Sequence, residues 1–181
     1  MVMIVRYSAM GVKGKIKLFW LTKFSKARKV ESMKITAKSR YALRTLLDIA
    51  ITGADKPRTI AEIASSQAIS EKFISRIVVP LRRAGLLESE RGARGGLRLA
   101  RQAEAITLFE IVTAMEGAIG VVSCLRRPKS CPRQGRCAAE QAWGKVNDAF
   151  IEALRAQTLA EIAANEKRLL SAGADGPEYC I

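Results

Sequence analysis

The sequence contains no histidine, only four cysteines and few aromatic residues, and no apolar run extends far without a charge. Each shortage excludes something. A chain without imidazole lacks the commonest general base and the usual partner of a serine or cysteine nucleophile. No glycine-rich phosphate loop follows a strand and no nucleophile sits in a catalytic setting, so an enzyme is not expected. Cys124, Cys131, Cys137 and Cys180 are too sparse for a secreted disulfide scaffold, and no signal-peptide pattern precedes them. The expected compartment is the reducing cytoplasm, where grouped thiols bind metal or do redox work. A bilayer span needs about 20 apolar residues, and even the run Leu18–Leu21 is boxed in by lysines, which excludes a membrane span.

Positive charge, by contrast, is abundant. The formal net charge is +14 over 181 residues, which calls for a polyanionic partner, because Lys and Arg held against phosphates release counterions. Nucleic acid is the first candidate and an acidic membrane surface the second. Residues 1–32 carry eight cations and one acid, half of the excess, without a clean helical or strand period. This basic N-terminal extension reads as disordered, or as an upstream start with translation beginning at Met33; a DNA-clasping arm is the functional alternative.

From Thr36 the apolar pattern becomes helical. Tyr41, Leu43, Leu46, Leu47 and Ala50 recur at spacings of three and four until Gly53. Thr59 to Glu62 is a capping box that starts a second, short helix with Ile60, Ile63 and Ala64 inward. Ser70 is the expected N-cap of a third helix whose apolar face is Phe73, Ile74, Ile77, Val78 and Leu81, with Pro80 expected to kink it or tighten its last turn. Two strand-like runs, Leu86–Ser89 and Leu97–Leu99, flank a glycine-rich turn carrying Arg91 and Arg94. Capping boxes recur at Thr107 and Thr158, the first opening a short helix that ends at Gly117. A polar loop, 121–137, leads to a long helix from Ala138 to Ala156 with Trp143, Val146, Phe150 and Leu154 on one stripe, suited to pairing with a copy of itself.

The expected fold is therefore mainly α: a winged helix-turn-helix with a small β-hairpin wing (33–101), a connecting helix (102–120), a cysteine loop (121–137), a long dimerisation helix with a C-terminal helix (138–171), and a flexible tail (172–181). In such domains the start of the last helix before the wing enters the major groove. Here that places Ser70, Lys72, Phe73, Ser75 and Arg76 against base edges: Arg76 can fork onto guanine and Lys72 can reach phosphate or guanine. Arg91 and Arg94 on the wing suit the negative potential of a narrow minor groove.

Cys124, Cys131 and Cys137 place three thiols within fourteen residues. The spacing is wider than that of a zinc knuckle, whereas iron–sulfur clusters tolerate wider loops. From spacing alone, a cluster, a zinc site, a metal-free thiol redox switch and inert cysteines all stay open.

Several segments, in this order and spacing, resemble the Rrf-two family of winged helix-turn-helix transcriptional regulators, of the IscR, NsrR and RirA type. They are MKITAKSRYALRTLLDIA (Met33 to Ala50), ISEKFISRIVVPLRRAGLL (Ile69 to Leu87), RGARGG (Arg91 to Gly96), the three-cysteine loop and TLAEI (Thr158 to Ile162). The resemblance runs from about Met33 to Ala164. It implies a homodimer crossed by the long helix, binding a double-stranded DNA operator with two half-sites and acting as a repressor. It also implies an iron–sulfur cluster, 2Fe–2S or 4Fe–4S, held by Cys124, Cys131 and Cys137, through which iron, redox or nitric oxide state is sensed. The base-reading positions above and Arg91 in the minor groove are likewise carried by it. Two positions depart from the family pattern. IscR-like members place a histidine three residues after the third cysteine, where this chain has Glu140; NsrR-like members donate an aspartate from the partner's first helix, where this chain has Arg40. The fourth ligand is then Glu140, solvent, a small thiol, or a cysteine from elsewhere such as Cys180, with Glu140 first.

Overall fold

The computed structural model describes residues 35–52, 56–92, 95–127 and 131–172. The N-terminal extension, Arg94 and Cys180 lie outside the described residues. Seven α-helices and one two-stranded sheet follow in order among the described residues: α1 (Ala37–Thr52), α2 (Ile60–Gln67), α3 (Glu71–Arg83), β1 (Leu87–Glu90), β2 (Gly96–Leu99), a 3-10 turn (Ala103–Ala105), α4 (Leu108–Glu116), α5 (Ser123–Arg126), α6 (Ala138–Arg155) and α7 (Leu159–Ser171). Three helices followed by a two-stranded wing make a winged helix-turn-helix.

The helix starts follow local chemistry. Thr59, Thr107 and Thr158 each accept from the backbone amide three residues on, while Glu62, Glu110 and Glu161 reach back to the cap amide, so three reciprocal capping boxes form at the spacing the sequence predicts. Ser70 differs from the expectation. It occupies the N-cap position of α3 with an extended backbone, but its side chain makes no cap bond. At Pro80, α3 continues to Arg83, and the Pro80 carbonyl accepts from Ala84 at 3.0 Å. A proline this close to the C-terminus costs one amide and leaves the last turn able to close.

The core forms where α1, α3 and α4 meet, with Leu46, Ile63, Ile74, Leu81, Leu86, Ile106, Ile111 and Leu159 fully buried. Burying a leucine or isoleucine is worth about 1.5–3 kcal/mol each, and this cluster supplies the rigid base from which α3 and the wing project.

The wing pairs Leu87 with Leu99 and Glu90 with Gly96 in antiparallel register. It is tied to the body by a feature the sequence did not reveal: Arg58 exchanges backbone hydrogen bonds with Leu97 at 3.0 and 2.8 Å, adding a one-residue third strand. Gly96 permits that approach, since a Cβ there would lie 2.8 Å from the Arg58 carbonyl oxygen. A similar bridge joins Thr107 to Thr158, so the starts of α4 and α7 are held together by their backbones.

Candidate nucleic-acid interface and cysteine site

Along α3, one face is buried (Ile74, Ile77, Val78 and Leu81) and the opposite face presents Lys72, Ser75, Arg76 and Val79. Their spacing of three and four puts all four on a single stripe. Ser70 and Arg91 are exposed as well. Among the five positions expected to reach base edges, Phe73 is placed differently. It is half-buried, its ring stands edge-on to Tyr41 with centroids 5.3 Å apart, and it packs against the core. Helical geometry explains this, because Phe73 sits next to Ile74 and Ile77 rather than on the Lys72–Arg76 stripe. The Ser75 hydroxyl donates to the Glu71 carbonyl at 2.8 Å, which leaves its lone pairs as acceptors.

Tyr41, against which Phe73 packs, is flanked by the guanidiniums of Arg40 and Arg44 at 6.0 and 5.7 Å from the ring centre. Arg44 also donates to the Gln67 side chain at 3.0 Å and to its backbone carbonyl. Two carboxylates that no local sequence pattern singles out organise the surrounding scaffold. Asp48, buried on α1, accepts from Arg58 Nε at 2.8 Å, from Gln67 Nε2 at 3.2 Å and from Ser66 Oγ, linking α1, α2 and the segment that bridges to the wing. Glu116, the last residue of α4, accepts from the Thr36 amide at 3.0 Å, the Thr36 hydroxyl at 2.6 Å and the Ser39 hydroxyl, and so caps α1 from another helix. Partial burial raises the Glu116 carboxyl's pKa, but the hydrogen bonds from Ser39 and Thr36 outweigh it and hold the group below its ordinary value.

The three cysteines occupy three short segments. Cys124 lies in α5, Cys131 begins a run of turns, and Cys137 is the N-cap residue of α6, without a cap bond from its side chain. All three thiols are free and half-buried. Among the described residues, no group of three His, Cys, Asp or Glu side chains is gathered closely enough to hold a metal ion. Glu140, the first expectation for a fourth ligand, sits in the first turn of α6, and its Oε2 accepts from the Gly135 amide at 2.8 Å. That bond folds the end of the cysteine loop onto the helix start, where a carboxylate is favoured by the helix dipole. Arg40 is an exposed cation on α1.

Sequence reasoning also missed Asn147, buried on α6, whose Oδ1 accepts from the Val121 amide at 3.1 Å. A signal was present: Trp143, Asn147, Phe150 and Leu154 are spaced four, three and four, so a polar residue interrupts an apolar stripe. The outer part of that helix leaves Trp143 and Val146 about half exposed.

A model of the Rrf2 family, described as an iron-dependent transcriptional regulator, matches residues 35–165. The protein rrf2 of Nitratidesulfovibrio vulgaris is 39% identical over 130 residues, covering 72% of this chain and 87% of that protein. The HTH-type transcriptional regulator IscR of Yersinia pseudotuberculosis is 31% identical over 134 residues, 74% of this chain and 81% of its own length. Among solved structures, CymR (YrzC), the global cysteine regulator of B. subtilis, superposes with a TM-score of 0.62 at 32% identity, covering 74% of this chain and 98% of that one.

Proposed function

This chain belongs to the Rrf2 family of DNA-binding transcriptional regulators, and from that premise we propose that it is an operator-binding repressor, acting as a homodimer, whose affinity for DNA is set by the state of Cys124, Cys131 and Cys137. The observation that carries the sensing half is the contrast in placement. Three thiols sit half-buried and outside any disulfide on consecutive short segments before the start of α6, while the buried carboxylate of the winged domain, Asp48, is hydrogen-bonded to Arg58, Ser66 and Gln67. For the DNA half, Lys72, Ser75 and Arg76 on the outer stripe of α3, Ser70 at its start, and Arg91 with Arg94 on the wing supply groove contacts. Phe73 contributes by fixing α3 against Tyr41 rather than by touching bases. The exposed Trp143 and Val146 on α6 supply the apolar seam for the second copy.

The donor set suits an iron–sulfur cluster of the 2Fe–2S or 4Fe–4S type, because thiolates are the ligands such clusters take and loops of this length can deliver them. When bound, the cluster supplies iron–thiolate bonds that tie the three segments to one centre. Glu140 is the nearest carboxylate in sequence, and one of its two oxygens, Oε2, is engaged by the Gly135 amide. A metal-free thiol switch is the second reading, favoured by the absence of a gathered three-ligand group among the described residues.

One preparation separates the two. Protein purified without oxygen is expected to be brown, with visible charge-transfer absorption and matching iron and sulfide. A colourless, iron-free preparation that still discriminates its operator overturns the cluster. Peroxide treatment followed by mapped alkylation then tests the switch, which fails if all three thiols stay equally reactive.

A further inference from the structure

The connection from α4 to the first cysteine is fixed at unusual points. After Gly117 the chain runs through Gly120, which is buried, and Val121, whose amide donates to Asn147 Oδ1 at 3.1 Å. The next residue, Val122, supplies the carbonyl that accepts from Leu125 at 3.2 Å and Arg126 at 3.3 Å, and those bonds form α5 with Cys124 inside it. A four-residue helix has no stability of its own, and α5 has no side-chain N-cap. Its place is therefore set by what grips the backbone just before it. Two features act at that point. One is the Asn147 carbonyl on α6. The other is the hydrogen-only gap at Gly120, where a Cβ would come within 2.8 Å of the Arg126 amide nitrogen and 2.9 Å of its Cβ.

Asn147 and Leu154 are the two buried side chains of α6, and Asn147 is the polar one. Burying an amide costs free energy unless it is hydrogen-bonded, so its retention on the inward stripe marks a bond the helix needs. The same helix begins at Cys137, ten residues earlier and about 15 Å away along the axis. Thus α6 carries one thiol at its start and, through Asn147, holds the turn that carries another.

We propose that Asn147 is the positioning residue of the cysteine site: its side-chain oxygen, with the close approach at Gly120, fixes Cys124 relative to the helix that starts at Cys137, a pair that leaves out Cys131, which lies on the turns between them. The regulatory meaning of that placement rests on the proposed sensing role of these cysteines. The placement itself does not.

The test uses the full chain, reduced and metal-free, with iodoacetamide as the probe and mass spectrometry to follow each cysteine separately. Asn147→Leu removes the acceptor while keeping bulk, and Asn147→Asp keeps an oxygen in the same place. Asn147→Leu is expected to speed alkylation of Cys124 roughly five- to tenfold, the scale of one hydrogen bond lost from a local opening equilibrium, with Cys131 changing less than about twofold. Asn147→Asp is expected to restore the wild-type Cys124 rate. Gly120→Ala, which disturbs the same turn without touching α6, is expected to reproduce the selective effect and covers the case in which Asn147→Leu does not fold. An unchanged Cys124 rate in both Asn147→Leu and Gly120→Ala, or equal acceleration of all three thiols, overturns the proposal. Operator affinity is measured in parallel. If alkylating the wild-type protein leaves that affinity unchanged, the sensing role falls, while a selective Cys124 effect still upholds Asn147 as its anchor.

Discussion

The two ends of this molecule are built on opposite terms. In the winged domain and the α4 helix packed on it, the buried and half-buried carboxylates are matched: Asp48 with Arg58, Ser66 and Gln67 and Glu116 with Thr36 and Ser39 across elements, and Glu110 with Arg101 and with Thr107 at its own helix start. At the cysteine end, a four-residue helix and a run of turns carry three free thiols, and an eighteen-residue helix buries two side chains. A matched buried network resists change because losing any one member strands the others. A half-buried segment with little regular structure can take two arrangements at smaller cost than a packed core. The division suits a regulator, since the surface that reads DNA must keep its shape while the part that reads a signal must be able to alter.

The sharpest way to break that contrast is to strand a member of the network. Asp48→Ala leaves the Arg58 guanidinium, 17% exposed, with only its longer 3.9 Å contact to Glu62, leaves Ser66 only the Ile63 carbonyl at 3.2 Å, and removes the acceptor of Gln67 Nε2. Removing one partner of a buried pair costs about 3–5 kcal/mol when the charge left behind is uncompensated, and the contact to Glu62 places the expected loss at the lower end of that range, about 3 kcal/mol. Because Arg58 also bridges to Leu97, the wing should loosen together with the body. Denaturant unfolding is expected to show that loss in its midpoint, with faster amide exchange at Leu97 in native buffer. A shift under 1 kcal/mol would mean the network is no tighter than the cysteine end.

Next in size is the DNA-reading stripe. Arg76→Ala is expected to relax preference at one base-pair position by about 1–3 kcal/mol, whereas Lys72→Ala lowers affinity more evenly across sequences if it holds phosphate. Competition binding against single-base operator variants, at fixed salt, distinguishes the two. Phe73→Leu should instead act through helix placement and lower affinity for every site alike, because its ring lies on Tyr41.

Much of the fold was legible because its signals are local. The three Thr-x-x-Glu boxes, the apolar spacing of α1 and α3, and the glycine-rich wing each depend on residues a few positions apart. What escaped was long-range. Thr36 and Glu116 are 80 positions apart, and nothing near either one announces the other. Asp48 and Arg58 are ten positions apart on different elements, and no local pattern pairs them. Lys72 and Arg76 were legible as a pair at helical spacing. Phe73 reads from the sequence both as core and as contact, and the structure shows it half-buried with its ring on Tyr41. The cysteines were legible as a group by sequence proximity, but how a loop disposes them depends on anchors such as Asn147 that lie on another element.

Glu116 gives a smaller, pH-dependent measure of the same contrast. Its folded carboxyl titrates below its unfolded value, so its stabilisation is complete above the ordinary glutamate range of about 4.3 and is lost as pH falls through the folded value. Glu116→Gln is expected to cost about 1–2 kcal/mol at neutral pH, since two hydroxyls and an amide then donate to a neutral acceptor. As the medium is acidified, wild type and variant should converge. Glu62 and Glu110 are shifted in the same direction and lose their contributions in both proteins, so the difference between the two unfolding curves isolates Glu116.

The smallest effect belongs to the other end, and its smallness is the point. Cys131→Ser exchanges one half-buried group for another on a run of turns and should move the unfolding midpoint by less than about 0.5 kcal/mol. If the winged domain and the cysteine loop are as separable as their bonding indicates, operator affinity of the reduced, metal-free protein should also stay within about twofold, while any change in that affinity on oxidation or iron loading should be reduced or lost. A Cys131→Ser variant that unfolded early would show the loop to be a structural brace. A variant that kept the full response would remove Cys131 from the sensing set and leave Cys124 and Cys137, the two thiols referenced to α6, to account for it.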